Sequence, residues 1–276
     1  GSIDIDPDDG DMITGIWSHK NRLFVFKGPY KGSIHEITGT APTGSDAFAR
    51  RTFIRGLGAV WQNSITTFGD DLLFQWSTGT IHSLAATQAY GDYNQVFLTQ
   101  PIDSWIRENV NFTRLRLVWA VNDSLRGRVL FGISRRSVLF NDLVLSFDYR
   151  FQPGRWSYRT AYNAASLGYF VDGNSQERRV YVGGTNGRIR RIDEAARSID
   201  GSTAYTGLAT TPFFNYGEPQ RTKTLQSVGI GATPKGDYSV TFGWTRDGLS
   251  QQSTTLNLSA GDTLGASTSQ FTLGSS

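Results

Sequence analysis

The residues best placed to do chemistry stand at the start of the chain, in the stretch IDIDPDDGDMITG. Five aspartates fall within eight positions there: Asp4, Asp6, Asp8, Asp9 and Asp11. Carboxylates at this density could bind calcium, for which an EF-hand loop needs Gly at the sixth position and Glu at the twelfth. Counted from Asp4, the glycine comes one place late at Gly10, and the twelfth residue is Gly15. The stretch therefore predicts a solvated turn ahead of a strand, and a calcium site of another kind stays open.

Histidines and paired acids are the next candidates. The chain has three histidines, His19, His35 and His82; the last two occupy one position of a repeat, which favours packing over metal binding. Two acids facing one cleft could hydrolyse a glycoside. The candidates for such a pair are Asp70, Asp71, Asp142, Asp148 and Asp172. Most of these acids fall in predicted turns, where Asp is favoured. We therefore expect no enzyme, and predict no catalytic, cofactor-binding or metal-binding residue.

The composition indicates an all-β protein. Aromatic residues make up 13% of the 276 residues and glycines number 31, whereas Met occurs once and Cys never. Abundant aromatics and glycine suit strands and turns better than helices. The absence of Cys excludes disulfides, thiolate metal sites and cysteine nucleophiles. No apolar run approaches the roughly 18 residues of a membrane span, so none is predicted.

Positive charge is concentrated in one region. Between Arg107 and Arg197 the chain has 16 Arg, no Lys and 8 acidic residues, although the whole chain carries only +3. Such a segment could face nucleic acid, because phosphate neutralisation dominates that binding. The simpler interpretation is that the arginine stems cover a β surface and their heads pair with acidic neighbours.

A repeat runs through the first two thirds of the chain. Each copy has a polar pair, a short apolar strand, a glycine turn and a closing G-x-I-x-x-[IL]. The closing motifs run from Gly32 to Ile37, from Gly79 to Leu84 and from Gly187 to Ile192. Glycine allows the positive φ of the turn, and the alternating Ile and Leu direct one face of the hairpin into a core. A weaker copy, residues 127–149, keeps the strand and lacks the closure.

The spacing of the copies predicts propeller-like blades. Predicted strands start near Arg22, Asp71, Arg128 and Arg178, and the intervals fit the roughly 40–50 residues of a blade. Upstream strand signals give each unit three or four antiparallel strands. We expect about four blade units, a number too small for most closed rings, in a β-propeller-like region over residues 1–200.

After about residue 200 the repeat ends and the pattern of predicted strands changes. The small polar linker at residues 194–205 suits a domain boundary near residue 200. Alternating runs such as 238–242, with a turn at Asp247-Gly248, predict a small β-sandwich-like domain over residues 201–276 with a mobile tail. The segment 99–112 interrupts the β pattern; Pro101 there could start one or two helical turns, and an inter-blade loop is favoured. The seven tryptophans are expected to pack in the core.

The order of these motifs resembles the β-propeller-bearing structural tail proteins of tailed bacteriophages, of the hub and nozzle type. The residues that carry the resemblance are Asp6 to Gly15, Asn21 to Lys27, Gly56 to Val60, Ser64 to Phe74, and Pro212 to Arg221 followed by Lys223. It implies a virion component located in the phage tail. It also implies a ring-shaped homo-oligomer, such as a hexamer, that docks on other tail proteins. DNA would pass through the channel of this ring without sequence-specific contacts.

Two other functions remain open on the residues. An aromatic-rich propeller face could stack on sugars, which would make the chain a glycan- or receptor-binding module. A propeller-fold glycoside hydrolase would use paired acids at the ring axis, and the absence of an acidic pair recurring across the blades argues against it. Under the structural hypothesis, loop aromatics such as Tyr90 and Tyr93 would form contact surface, and some arginines, Arg135 and Arg136 among them, would lie in subunit contacts.

Overall fold

The structure is a computed structural model, and it describes most of the first two thirds of the chain. The described residues are 3–41, 43–90, 97–151, 153–160, 163–174, 176–192, 208, 238–245 and 251–258. The chain divides into two compact units, Gly1–Gly207 and Leu208–Ser276. The predicted linker at 194–205, the Pro212 to Arg221 stretch, the Asp247-Gly248 turn, Tyr93 and the C-terminal tail lie outside the described residues.

The described residues of the first unit form four antiparallel sheets, each a simple meander. The first sheet contains β1 (Met12–His19), β2 (Arg22–Gly28), β3 (Ser33–Thr38) and β4 (Ala49–Arg55). The second contains β5 (Ile65–Phe68), β6 (Asp71–Gln75) and β7 (Ile81–Ser83). The third contains β8 (Trp119–Asp123), β9 (Arg128–Ile133), β10 (Leu143–Asp148) and β11 (Arg155–Thr160). The fourth contains β12 (Ser166–Val171), β13 (Arg178–Gly183) and β14 (Ile189–Arg191).

The turns explain why these strands pair as they do. His19 pairs with Arg22, so β1 and β2 are joined by two residues, Lys20 and Asn21, whose φ angles are +50° and +58°. Positive φ at both central positions is the geometry that matches the twist of a hairpin. The predicted glycine turns have the same property, since Gly32, Gly79 and Gly187 all have positive φ. The predicted strand starts at Arg22, Asp71, Arg128 and Arg178 are confirmed as the first residues of β2, β6, β9 and β13.

Consecutive sheets pack face to face, and the two-residue period of each strand decides which neighbour a side chain meets. On β6, Leu72 and Phe74 join the core with the first sheet, whereas Leu73 joins the core with the third. On β9, Phe131 faces the second sheet and Leu130 faces the fourth. Each fully buried aromatic or aliphatic side chain contributes about 1.5–3 kcal/mol. Because side chains of the second and third sheets enter a core on each side, these two sheets are covered on both faces.

The first strands of the sheets lie next to one another: β1 contacts β5, β5 contacts β8, and β8 contacts β12. The later strands of each sheet lead away from this line in the order of a meander.

The sequence pattern does not predict the two α-helices of the first unit correctly. The favoured loop at 99–112 is wrong, because α2 (Asp103–Asn109) follows the 3-10 turn Gln100–Ile102. A further helix, α1 (Leu84–Tyr90), starts where the second sheet ends, and its first backbone amides are capped by Asp71 and Ser83. Other 3-10 turns are Gln62–Ser64, Phe112–Leu117 and Ser124–Arg126. No helix among the described residues is long and apolar enough to cross a bilayer.

The second unit is described at one hairpin. Strand β15 (Tyr238–Trp244) pairs with β16 (Gln252–Leu258) in antiparallel register, so the predicted strand at 238–242 is confirmed. The sandwich-like remainder of this region, and the boundary near residue 200, lie outside the described residues and stay predictions.

Candidate functional site

The acidic N-terminal segment, residues 3–11, is held by a cation of the protein itself. Lys27 on β2 is only 2% exposed. Its ammonium group donates to the carbonyl oxygens of Ile5 and Asp6, at 2.8 and 2.7 Å, and to Asp9 Oδ2 at 2.7 Å. These three acceptors satisfy all three donors of the lysine. The hydrogen bond from Lys27 also lowers the pKa of the Asp9 carboxyl below its ordinary value.

Asp6 has a second set of positive partners. Its carboxylate accepts a hydrogen bond from Arg50, lies 3.6 Å from His35 Nε2, and is 3.9 Å from Arg55. Partial burial opposes ionisation of Asp6, but the hydrogen bond and charge of Arg50 outweigh it and lower its pKa. The carboxylate is therefore kept ionised by three basic side chains of the first sheet.

Asp11 closes a turn of the backbone. Its Oδ1 accepts from the amide of Tyr30 at 2.8 Å, and its Oδ2 accepts from Lys31 and Gly32 at 2.9 and 2.6 Å. Within the described residues, no three or more His, Cys, Asp or Glu side chains form a group that could hold a metal ion. Three of the five aspartates thus serve the packing of the segment. The predicted turn is present at Pro7–Asp8, but the segment is packed on the first sheet rather than solvated.

The two repeat-position histidines make the same local contact. His35 Nε2 lies 2.8 Å from Ser33 Oγ, and His82 Nε2 lies 2.7 Å from Thr80 Oγ1, so each ring bonds the hydroxyl two residues earlier. Both rings are buried. Burial lowers the pKa of His82 to about 4, and burial also lowers that of His35 although Asp6 opposes the shift. His19 instead contacts the Asp70 carbonyl. A packing role for the pair, as the repeat indicates, fits these contacts.

The candidate acids for hydrolysis are engaged separately. Asp71 binds the Ser83 hydroxyl and the amides of Leu72 and Ala85. Asp142 and Asp148 pair with Arg135 and Arg150, at 2.5 and 2.6 Å. Asp172 lies in a turn, 3.9 Å from Arg179. These contacts are structural: Asp71 lies on the second sheet, Asp142 and Asp148 stand at the two ends of β10 in the third, and Asp172 lies in a turn of the fourth.

Many arginines of the basic segment pair locally. Arg107 binds Asp103, Arg128 binds Asp123, and Arg179 binds Glu177. Others lie over rings: Arg155 is 4.0 Å from the Phe151 ring centre, and Arg178 is 3.3 Å from that of Tyr169. The simpler interpretation of the segment accounts for these positions. Arg136 donates to the Arg107 carbonyl.

An aromatic groove of about 300 Å³ opens between α2 and the edge strand β11. The Trp105 and Tyr158 rings stack there with centres 4.8 Å apart, and Trp156 donates its indole N–H to the Leu98 carbonyl. The lining is Pro101, Ile102, Ser104, Trp105, Leu145, Trp156, Ser157 and Tyr158. Among the described lining residues, two serine hydroxyls, the indoles and the phenol are the side-chain hydrogen-bonding groups. The groove is therefore suited to an apolar or aromatic group.

A second apolar groove, of about 290 Å³, lies on the face of the first sheet that points away from the second sheet. We call this face, with Ile16, Leu23, Val25 and Ile37, the outer face of the first sheet. Sequence reasoning missed both this groove and buried Lys27. The available signal for the lysine was its position in an otherwise apolar strand, RLFVFKG.

No known family model and no curated protein matches this sequence.

Proposed function

We propose that the chain is a structural component of a phage tail, of the hub, nozzle or tube-end type, that assembles with itself and with other tail proteins around the DNA channel. In this proposal it is a virion protein and not an enzyme, and DNA passes it without sequence-specific contacts. Its mechanism is assembly through sheet faces and edges.

The observation that carries the proposal is the serial packing of four meander sheets whose first strands lie side by side. A β-propeller is built from small antiparallel sheets repeated around a central channel, and sheets that follow one another in sequence, pack face to face and line up their first strands are compatible with that architecture. We therefore propose that the four sheets are propeller blades. The first and fourth sheets also expose large apolar side chains, Ile16 and Leu23 on the first and Phe170 and Ile189 on the fourth; such exposure marks interaction surfaces.

The local engagement of the chemical groups supports a structural role over an enzymatic one. The acids considered for catalysis cap a helix, pair with arginines or close turns. The two buried histidines bond to neighbouring hydroxyls in the same way. A structural protein needs such groups only for packing.

Location in the virion tests this proposal. Antibodies raised against the purified chain should label the tails of phage particles from the host that carries this gene, and peptides of the chain should be found in gradient-purified virions. Particles that lack the chain would overturn the proposal, whatever the chain does in solution.

A glycan- or receptor-binding module is the second candidate, and the stacked Trp105 and Tyr158 favour it. A sugar-binding site needs hydrogen-bonding groups beside its aromatic platform, and the largely apolar lining of the groove counts against it. A glycan array probed with the wild-type chain and with Trp105→Ala separates the cases. Binding that disappears in the variant would support this second function.

A further inference from the structure

The first sheet leaves Ile16 and Leu23 exposed at positions that the second sheet buries, whereas Val25 beside them is only 5% exposed. Ile16 pairs with Val25 across β1 and β2, and Ile65 pairs with Phe74 across β5 and β6. With the strand starts Arg22 and Asp71 aligned, three positions correspond: Ile16 with Ile65, Leu23 with Leu72, and Val25 with Phe74. With the closing motifs aligned, Ile37 corresponds to Leu84. The outer face of the first sheet thus repeats the face that the second sheet turns toward the first.

The two faces differ in what covers them. Ile65, Leu72 and Phe74 are at most 1% exposed, because the first sheet packs on them through Phe24, Phe26 and Ile34. Ile16 and Leu23 are 50% and 38% exposed. The N-terminal segment covers part of the outer face, around Lys27 and His35, and leaves the apolar groove open.

The fourth sheet also exposes large apolar side chains, on the face that points away from the third sheet. Its inward residues Val180 and Val182 pack on the third sheet. By alternation, Phe170, Tyr181 and Ile189 point the other way, on what we call the outer face of the fourth sheet. Ile189 corresponds to Ile34 and Ile81 in the closing motif; those two are fully buried, whereas Ile189 is 72% exposed and Phe170 63%. The Phe170 and Tyr181 rings meet edge to face at 5.4 Å.

From these matching surfaces we infer that the outer face of the first sheet of one copy docks on the outer face of the fourth sheet of a second copy. The contact would continue the sheet-on-sheet packing that already joins the first sheet to the second. It would bring Ile16, Leu23 and Ile37 against Phe170, Tyr181 and Ile189.

Charge at the borders favours this pairing of unlike faces. In the N-terminal segment beside the first groove, Asp4 and Asp8 are exposed, while Asp6 and Asp9 pair with Arg50 and Lys27. On the fourth sheet, Arg179 and Arg191 alternate onto the outer face with Phe170 and Tyr181, and exposed Arg188 stands in the last turn. Arg179 also pairs with the acids Asp172 and Glu177. Opposite charges steer two surfaces together and disfavour contact between two identical ones.

The contact joins two different faces, so each copy keeps one face available after docking. Such a head-to-tail interface generates rings when the rotation closes and filaments when it does not. The inference deepens the proposed function by naming the surfaces through which the chain would assemble, and it rests on that proposal only for its biological setting.

Cysteine cross-linking tests the inference directly, because the chain has no cysteine of its own. Ile16→Cys and Ile189→Cys are made singly, one with a tag that changes its size, then mixed and oxidised. We expect a disulfide-linked heterodimer, formed roughly tenfold or more faster than by a pair that meets only by diffusion. The control pair is Ile16→Cys with Leu139→Cys, since Leu139 is 65% exposed and lies away from both faces, between β9 and β10.

Each outcome decides the point. A heterodimer only in the matched mixture supports the docking, and a ladder of multimers from the double variant supports its head-to-tail character. Equal rates in matched and control mixtures overturn it, and so does rapid homodimer formation by Ile16→Cys alone. Assemblies of the Leu23→Asp variant should have a lower mass than those of the wild type. The melting temperature of the variant monomer should equal that of the wild-type monomer. Failure to cross-link with the chain present in virions would overturn this interface and leave the proposed function standing.

Discussion

His35 and His82 occupy the same position of the repeat, but different groups pack over the two rings. His82 is stacked on Phe74, with ring centres 5.9 Å apart, in the face of the second sheet that the first sheet covers. His35 lies on the equivalent face of the first sheet, beneath the N-terminal segment and beside Asp6. The same face of the repeat is thus covered by apolar packing in the second sheet and by ion pairs and backbone carbonyls in the first sheet.

The comparison shows two ways of covering the same face. The second sheet buries Leu and Phe against the first sheet, whereas among the described residues no sheet packs on the outer face of the first sheet. The first sheet covers part of its face with the acidic segment, for which Lys27 provides the central contact. The part that remains open has the pattern of the second sheet, so the same residues serve as core in one sheet and as exposed surface in the other.

Truncating the buried aromatic of the second sheet should have the largest effect. Phe74→Ala removes a ring that is fully buried between two sheets and should lower the free energy of unfolding by about 3–5 kcal/mol. The matched change Val25→Ala, at the equivalent position of the first sheet, removes two methyl groups and should cost about 1.5 kcal/mol. Urea unfolding of both variants checks the ratio; equal losses would contradict the close packing of the Phe74 ring between the two sheets.

Acid should destabilise the protein through His82. Its pKa is about 4 in the folded state against an ordinary 6.5, so the unfolded chain takes up a proton in this interval that the folded chain refuses. Stability should therefore fall as pH is lowered from 6.5 toward 4, by about 3 kcal/mol in total. His82→Gln should flatten this part of the pH profile. An unchanged slope in His82→Gln, with His19→Gln as control, would contradict the burial of His82.

Removing the buried lysine should release the acidic segment. Lys27→Met leaves Asp9 and two carbonyls without their donor and should cost about 2 kcal/mol. Hydrogen exchange at residues 3–11 should become faster. Lys31→Met, which changes an exposed side chain, should stay within about 0.5 kcal/mol of wild type. Equal behaviour of the two variants would show that Lys27 does not anchor the segment.

Calcium should have the smallest effect. Asp9, Asp6 and Asp11 already have Lys27, Arg50 and backbone amides as partners, so added calcium would have to displace them. The melting temperature in millimolar calcium should equal that in a chelator. A saturable rise with calcium would reveal binding to the folded state and would reopen the calcium site that the aspartate spacing allowed.

The sequence predicted the strands well because their signals are local. Polar pairs followed by alternating apolar residues located β2, β6, β9 and β13, and the G-x-I closures located β3, β7 and β14. These features depend on side-chain period and on glycine turns within a few residues of each other. Helix α1 was missed although LAATQAY has good helix formers, because its cap comes partly from Asp71, a strand away.

Burial of charged groups could not be predicted in the same way. Lys27 becomes a core residue only when a segment some twenty positions earlier folds back over the sheet. The stacking of Trp105 on Tyr158 likewise joins α2 to a strand fifty residues later. Such contacts depend on tertiary packing, which one sequence with a local repeat does not specify.

The mass of the purified chain in solution, measured by light scattering over a concentration series with electron micrographs of the large species, tests the central claim most directly. The account predicts assemblies of integral multiples of the chain that grow with concentration and include rings. A monomer at every concentration would contradict the claim that this chain assembles through its own exposed sheet faces.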